Sequence, residues 1–157
     1  MSELTPLAFE ECVALLACER VGRLAVVDGD QPVIYPVNFR VVARHSDEPV
    51  IVIRTHAGNA LSRSGIKCAF EVDGIDPLEH TGWSVLVRGE LRHIEPDTAS
   101  AGAPFRPDEP LTTTAIDPQP WLDDGRDEWL LIVPHEITGR RLTQEMPVWA
   151  FSLQAYL

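Results

Sequence analysis

From residue 21 to residue 91 the chain alternates short β-branched and aliphatic runs with turn-forming residues, a period-2 pattern that predicts strands. Residues 21–27 form the first run and end at Asp28-Gly29-Asp30, a hairpin signal. The return strand is predicted over 32–43. Pro36 inside it marks an edge, a bulge or a position whose N–H the ladder does not need. A turn at Ser46-Asp47-Glu48-Pro49 leads into the apolar run 50–54, which completes a β-meander. Residues 66–73 then alternate Ile66, Cys68, Phe70 and Val72 with Lys67, Ala69, Glu71 and Asp73. After a loop with Pro77 comes the longest apolar strand, 83–91. Strand patterning returns at 129–133, continues through 137–142, and a final short strand is predicted at 148–153.

Helical periodicity is confined to two places. Phe9, Cys12, Val13 and Leu16 recur at helical spacing, Thr5-Pro6 reads as an N-cap and first-turn pair, and Glu10 and Glu11 suit a helix N-terminus, so a helix is predicted over 6–18. Gly58-Asn59-Ala60-Leu61 opens a short second helix that ends near Ser64-Gly65. Residues 95–128 hold six of the thirteen prolines, nine acidic residues and two basic ones, and read as a long surface excursion with a short helical piece near 97–102. Six or seven strands with two short helices predict a mainly β fold, an antiparallel barrel whose closure removes exposed strand edges. A single domain spanning 1–157 is expected.

Composition narrows the function. With 45% hydrophobic residues the chain can fill a core, and a formal net charge of −11 argues against nucleic acid and against an anionic membrane surface. No apolar stretch approaches a membrane span, and the first six residues lack the regions of a signal peptide, so the cytoplasm is the expected location. Cys12, Cys18 and Cys68 have no disulfide or metal spacing, and the five histidines are scattered. No Gly-x-Ser-x-Gly elbow, Walker loop or Gly-x-Gly-x-x-Gly is present.

The chemistry-bearing candidates are few. Arg54-Thr55 ends a strand just before the helix that starts at Gly58-Asn59, and a helix N-terminus with a neighbouring Arg is a ready phosphate site. Spacing alone equally allows Thr55 to cap that helix while Arg54 pairs with a surface carboxylate. Asn38 interrupts the apolar strand Tyr35-Pro36-Val37-Asn38-Phe39 and either reads the polar edge of a heterocycle or faces solvent.

Taken in order, Val21-Gly22-Arg23-Leu24-Ala25, Pro36-Val37-Asn38-Phe39, Ile53-Arg54-Thr55 with Gly58, Ala69-Phe70-Glu71-Val72-Asp73, Thr81 through Gly89 and Ile137-Thr138-Gly139-Arg140-Arg141 resemble the pyridoxamine 5′-phosphate oxidase-like family of FMN-binding split barrels. The resemblance implies a homodimer with FMN at the subunit interface and a small-molecule substrate. Pro36, Val37, Asn38 and Phe39 would pass along the flavin ring. Arg54, Thr55, Gly58 and Asn59 would hold the phosphate, while Trp83, Ser84 and Arg140 would supply further contacts. Relatives usually place Lys or Arg two or three residues after the glycine matching Gly58; here Ala60 and Leu61 stand there, so a second cation must come from elsewhere, such as Arg63 or Lys67. The basic residues that grip pyridoxamine phosphate are not recognisable, which sets the chain apart from the vitamin B6 enzyme itself. The implied activity is an FMN-dependent oxidoreductase with no named catalytic residue, the acidic excursion forming a rim of the substrate pocket. The alternatives are a non-catalytic flavin carrier or sensor, or a relative that binds the deazaflavin F420 or haem on the same barrel.

Overall fold

The alternating runs become strands in a computed structural model that describes residues 2–43, 49–55, 61, 65–94, 118 and 128–144. The elements are β1 (Ser2–Pro6), α1 (Phe9–Cys18), β2 (Val21–Asp28), β3 (Gln31–Ala43), β4 (Pro49–Thr55), β5 (Ile66–Asp76), β6 (Thr81–Ile94) and β7 (Glu128–Gln144). All pairings are antiparallel. They close a ring, β2–β3–β4–β7–β6–β5 and back to β2, and β1 adds to β7 outside it. The seventeen-residue β7 serves three neighbours: residues 128–132 pair with β4, 129–142 with β6 and 140–144 with β1.

The barrel is split along β3. Residues 31–38 of that strand pair with β2, while residues 39–43 pair with β4. Pro32 and Pro36 both fall on the half that has only one ladder neighbour, where a missing N–H removes nothing. The β2–β3 turn is the two residues Gly29-Asp30, and Gly29 adopts φ +64°, the left-handed region a tight hairpin needs. Gly65 also adopts the left-handed region, with φ +78°.

Alternate residues of each strand fill the barrel. Leu24, Val26, Phe39, Ile51, Ile53, Phe70, Val72, Val85, Val87, Leu91, Leu130 and Ile132 form one buried cluster, with Phe39 and Phe70 edge-to-face at 4.9 Å between ring centroids. Helix α1 joins that cluster through Cys12 and Leu16, one turn apart, while Phe9 stays exposed. The unbroken apolar run of β4 has a second use: Val50 and Val52 face outward, where they are buried with Trp129 and Leu131 in a separate cluster. A strand apolar on both faces is buried on both.

The N-terminus departs from expectation. Thr5 and Pro6 do not start the helix; they lie in β1, opposite Arg141 and Arg140, and the helix begins after Ala8, whose N–H donates to Glu11 Oε2 at 3.3 Å. The free edge of β7 recruits this segment, and a partner about 136 residues away leaves no mark on local periodicity. The strand expected at 148–153, the helical piece near 97–102, the helix opening at Gly58 and the turn after Ala43 lie outside the described residues.

Candidate functional site

Register places the candidate residues on the outer surface of the barrel. Pro36, Arg23, Glu71, Leu86 and Thr138 lie side by side across β3, β2, β5, β6 and β7. Two residues further along each strand, Asn38 opposes Val21, Asp73 opposes Ser84, and Ser84 opposes Arg140. Residues two apart on a strand share a face, so Pro36, Asn38, Ser84 and Arg140 all point outward. Val37 and Phe39 point inward and are buried in the core, so β3 offers a ligand only Pro36, Asn38, Arg40 and main-chain groups there. The Asn38 side-chain amide donates to the Arg20 carbonyl at 3.4 Å.

At the end of β4, Arg54 also faces outward. It pairs in register with Trp129, and its guanidinium carbon lies 5.1 Å from that ring's centroid, a cation–π contact. Thr55 beside it is buried. His56, Gly58 and Asn59 lie outside the described residues, so the expected phosphate turn is described only up to Thr55.

The same outer face carries a cation that sequence reasoning passed over. Arg40 opposes Val52 across the β3–β4 ladder, which puts it diagonal to Arg54. Its Nε is buried and makes no hydrogen bond. A buried donor left unsatisfied costs about 1–3 kcal/mol, so such a group calls for an explanation. The signal was available: Asn38 and Arg40 sit two apart on a strand, hence on one face. Lys67, one of the suggested substitutes for the missing cation, lies instead on β5, lining a groove with Arg88 and His135.

A second part of the site is a groove of about 420 Å³ on β5, β6 and β7, lined by Glu71, Asp73, Trp83, Ser84, Arg140 and the exposed Leu4, among others. The Trp83 indole lies flat over Gly74, where any Cβ would sit only 2.5 Å from Nε1. That close approach holds the ring against the core while its edge reaches the groove. Arg23 bridges Glu71, at 2.9 Å, and Asp73, which neutralises much of the acidic wall.

The two parts do not meet on one surface. From Arg54 on β4 to Ser84 on β6 the outer face crosses β3, β2 and β5, four strand spacings or about 19 Å around a convex barrel. What the arrangement provides is a cationic corner on an aromatic ring and, separately, an apolar groove with a hydroxyl and a guanidinium.

A closed antiparallel barrel with ligand-type residues on its outer face and, among the described residues, one helix packed against it defines a split-barrel protein of the flavin-binding type. The chain belongs to the pyridoxamine 5′-phosphate oxidase family, whose model matches residues 9–141. It is 27% identical to the uncharacterized protein Rv0080 of Mycobacterium tuberculosis, over 91% of this chain and 88% of that one. Among solved structures it is similar to an FAD binding protein from Mycobacterium smegmatis, at 26% identity and a TM-score of 0.61 over 88% of this chain and 98% of that one. It is also similar to a conserved protein of unknown function from Corynebacterium diphtheriae, at 28% identity and a TM-score of 0.64 over 87% and 96%. These relatives support the fold and the family, and the B6 oxidase itself is not singled out. No helix among the described residues is long and apolar enough to cross a membrane.

Proposed function

We propose that the chain is a flavin-dependent oxidoreductase that binds FMN on the outer face of the barrel, as a homodimer. The observation that carries this reading is the outward placement of Arg54 on Trp129, at the strand end where the family resemblance sets the flavin phosphate. The residues present suit such a guest: a guanidinium held by an aromatic ring for the phosphate, an outward Asn38 for the polar edge of a ring, and Trp83 with Ser84 as an apolar wall bearing a hydroxyl. A bound flavin supplies hydride or electron transfer, while the protein supplies binding, orientation and shielding.

The dimer rests on geometry as well as resemblance. The separation of Arg54 from the Ser84–Arg140 groove, about four strand spacings around the barrel, supports a flavin held between two copies. Leu4 and Ile75, 59% and 72% exposed at the groove, and Leu142 beside them give that copy an apolar surface to cover. FAD is the second reading, favoured by the M. smegmatis relative that binds it; FAD keeps the same ring and a phosphate at the same distance from it.

The test is to purify the full chain, denature it and identify any released flavin by mass, then ask whether the intact protein bleaches with NADPH. Released FMN or FAD together with bleaching supports the oxidoreductase. Released flavin that no reductant or substrate bleaches points to a carrier. A colourless protein that takes up neither flavin sinks both, and promotes F420.

A further inference from the structure

We infer that Arg40 is the second phosphate cation of this site, standing in for the basic residue that the turn after Gly58 lacks. The inference rests on the flavin reading above and names a residue on a different strand. Three observations lead to it. Arg40 and Arg54 lie on the same outward face of adjacent antiparallel strands, flanking Val52 on the diagonal. Diagonal neighbours have Cβ atoms roughly 7 Å apart or less, well within the joint reach of two arginine side chains. The Nε of Arg40 is buried yet has no acceptor. The turn that should hold a second cation has Ala60 and Leu61 instead.

The surroundings sharpen the assignment. Four other arginines on the barrel have a carboxylate in hand, Arg23 with Glu71 and Asp73, Arg88 with Glu136, Arg92 with Glu90 and Arg141 with Glu11, whereas the exposed Arg140 has none among the described residues. In a chain of net charge −11 acidic partners are plentiful, yet Arg40 takes none among the described residues. Its neighbours on this face include Val52, fully buried, and the Trp129 cluster. A guanidinium there is weakly hydrated, and its planar Nε–H and Nη–H fork matches two oxygens of a phosphate. Arg54 presents a second fork from the next strand. Two guanidiniums converging on one dianion compensate its charge, which Arg54 alone does not.

The same chemistry suits the terminal phosphate of FMN and the pyrophosphate of FAD, and riboflavin lacks both. The experiment is therefore a titration of the full-length apoprotein with riboflavin, FMN and FAD, comparing wild type with Arg40→Gln, Arg40→Lys and Arg54→Ala, alongside melting curves of each apoprotein. Arg40→Gln is expected to weaken FMN or FAD binding by about ten- to a hundredfold while leaving riboflavin affinity unchanged, and Arg40→Lys to recover part of the loss. A larger loss for FAD than for FMN identifies the pyrophosphate as the natural guest, and an equal or greater loss for FMN identifies the terminal phosphate. The Arg40→Gln apoprotein should melt no lower than wild type, because the substitution replaces a buried, unpartnered cationic donor by a neutral amide. Phosphorylated flavins bound within about twofold of wild type, or losses equal for riboflavin and FMN, overturn the role of Arg40 while the flavin reading stands. Wild type that binds none of the three overturns both.

Discussion

The outer surface of this barrel has two differently built sides. Across β5, β6 and β7, guanidiniums and carboxylates sit in exposed ion pairs, Arg88 with Glu136 at 3.1 Å and Arg92 with Glu90 at 2.8 Å among them. Across β3 and β4, Arg40 and Arg54 stand beside Val52 and Trp129, with a cation–π contact on one and a buried unbonded nitrogen on the other. Water and counter-ions screen the first kind of charge, and an apolar wall amplifies the second. Matched charges on a wet face serve solubility; on the drier face the buried Arg40 Nε has no acceptor.

Breaking the β3–β4 side should have the largest effect. Arg54→Ala removes both the phosphate contact and the cation on Trp129, and flavin affinity measured by fluorescence titration is expected to fall by roughly a hundredfold or more. Undiminished binding would move the site elsewhere. An intermediate effect belongs to the inner side of β5, where burial, helped by the charge of Glu90, pushes the Cys68 thiol up from 9.0 to about 11. The folded state thus keeps its proton where the unfolded chain has lost it. The stability this contributes is complete below pH 9 and is lost as pH rises through 11, up to roughly 2 kcal/mol. Urea midpoints of wild type should therefore drop relative to Cys68→Ala between pH 9 and 11; parallel curves would contradict the burial argument. The smallest effect is expected on the wet side: Arg88→Gln, which breaks a solvent-exposed pair with Glu136, should leave the urea midpoint and flavin affinity close to wild type. A large flavin effect there would erase the contrast between the two faces.

The two sides were also unequally legible in the sequence. Period-2 alternation and apolar runs located β2 through β6 to within a few residues, while the burial of β4 on both faces emerged only with its packing against Trp129 and Leu131. Barrel closure was expected from the strand count, but its means was not: β7 pairs with three strands whose residues lie far away along the chain. β1 escaped notice because Ser2–Pro6 has no hydrophobic alternation and owes its structure to the edge of β7. In the site, Asn38 was found as a polar residue interrupting an apolar run, and Arg54 as the end of a strand before an expected helix. Arg40 fits the same rule, yet without the β3–β4 register nothing joins it to Arg54. Trp83 was marked by resemblance, and its seat over Gly74 needed the β5–β6 pairing. The turn at Gly58-Asn59 was the clearest local signal, and it lies outside the described residues.

In the proposed complex a flavin lies on the outer face, phosphate at the β3–β4 corner and ring toward a Trp83–Ser84 groove. Hydrogen–deuterium exchange of the full-length protein with and without added FMN tests this directly. Slowed exchange is expected in peptides covering 36–42, 50–55 and 81–86, with little change around the β6–β7 irregularity at Arg88 and Gly89. Slowing confined to that irregularity, or no slowing anywhere at saturating FMN, would contradict it.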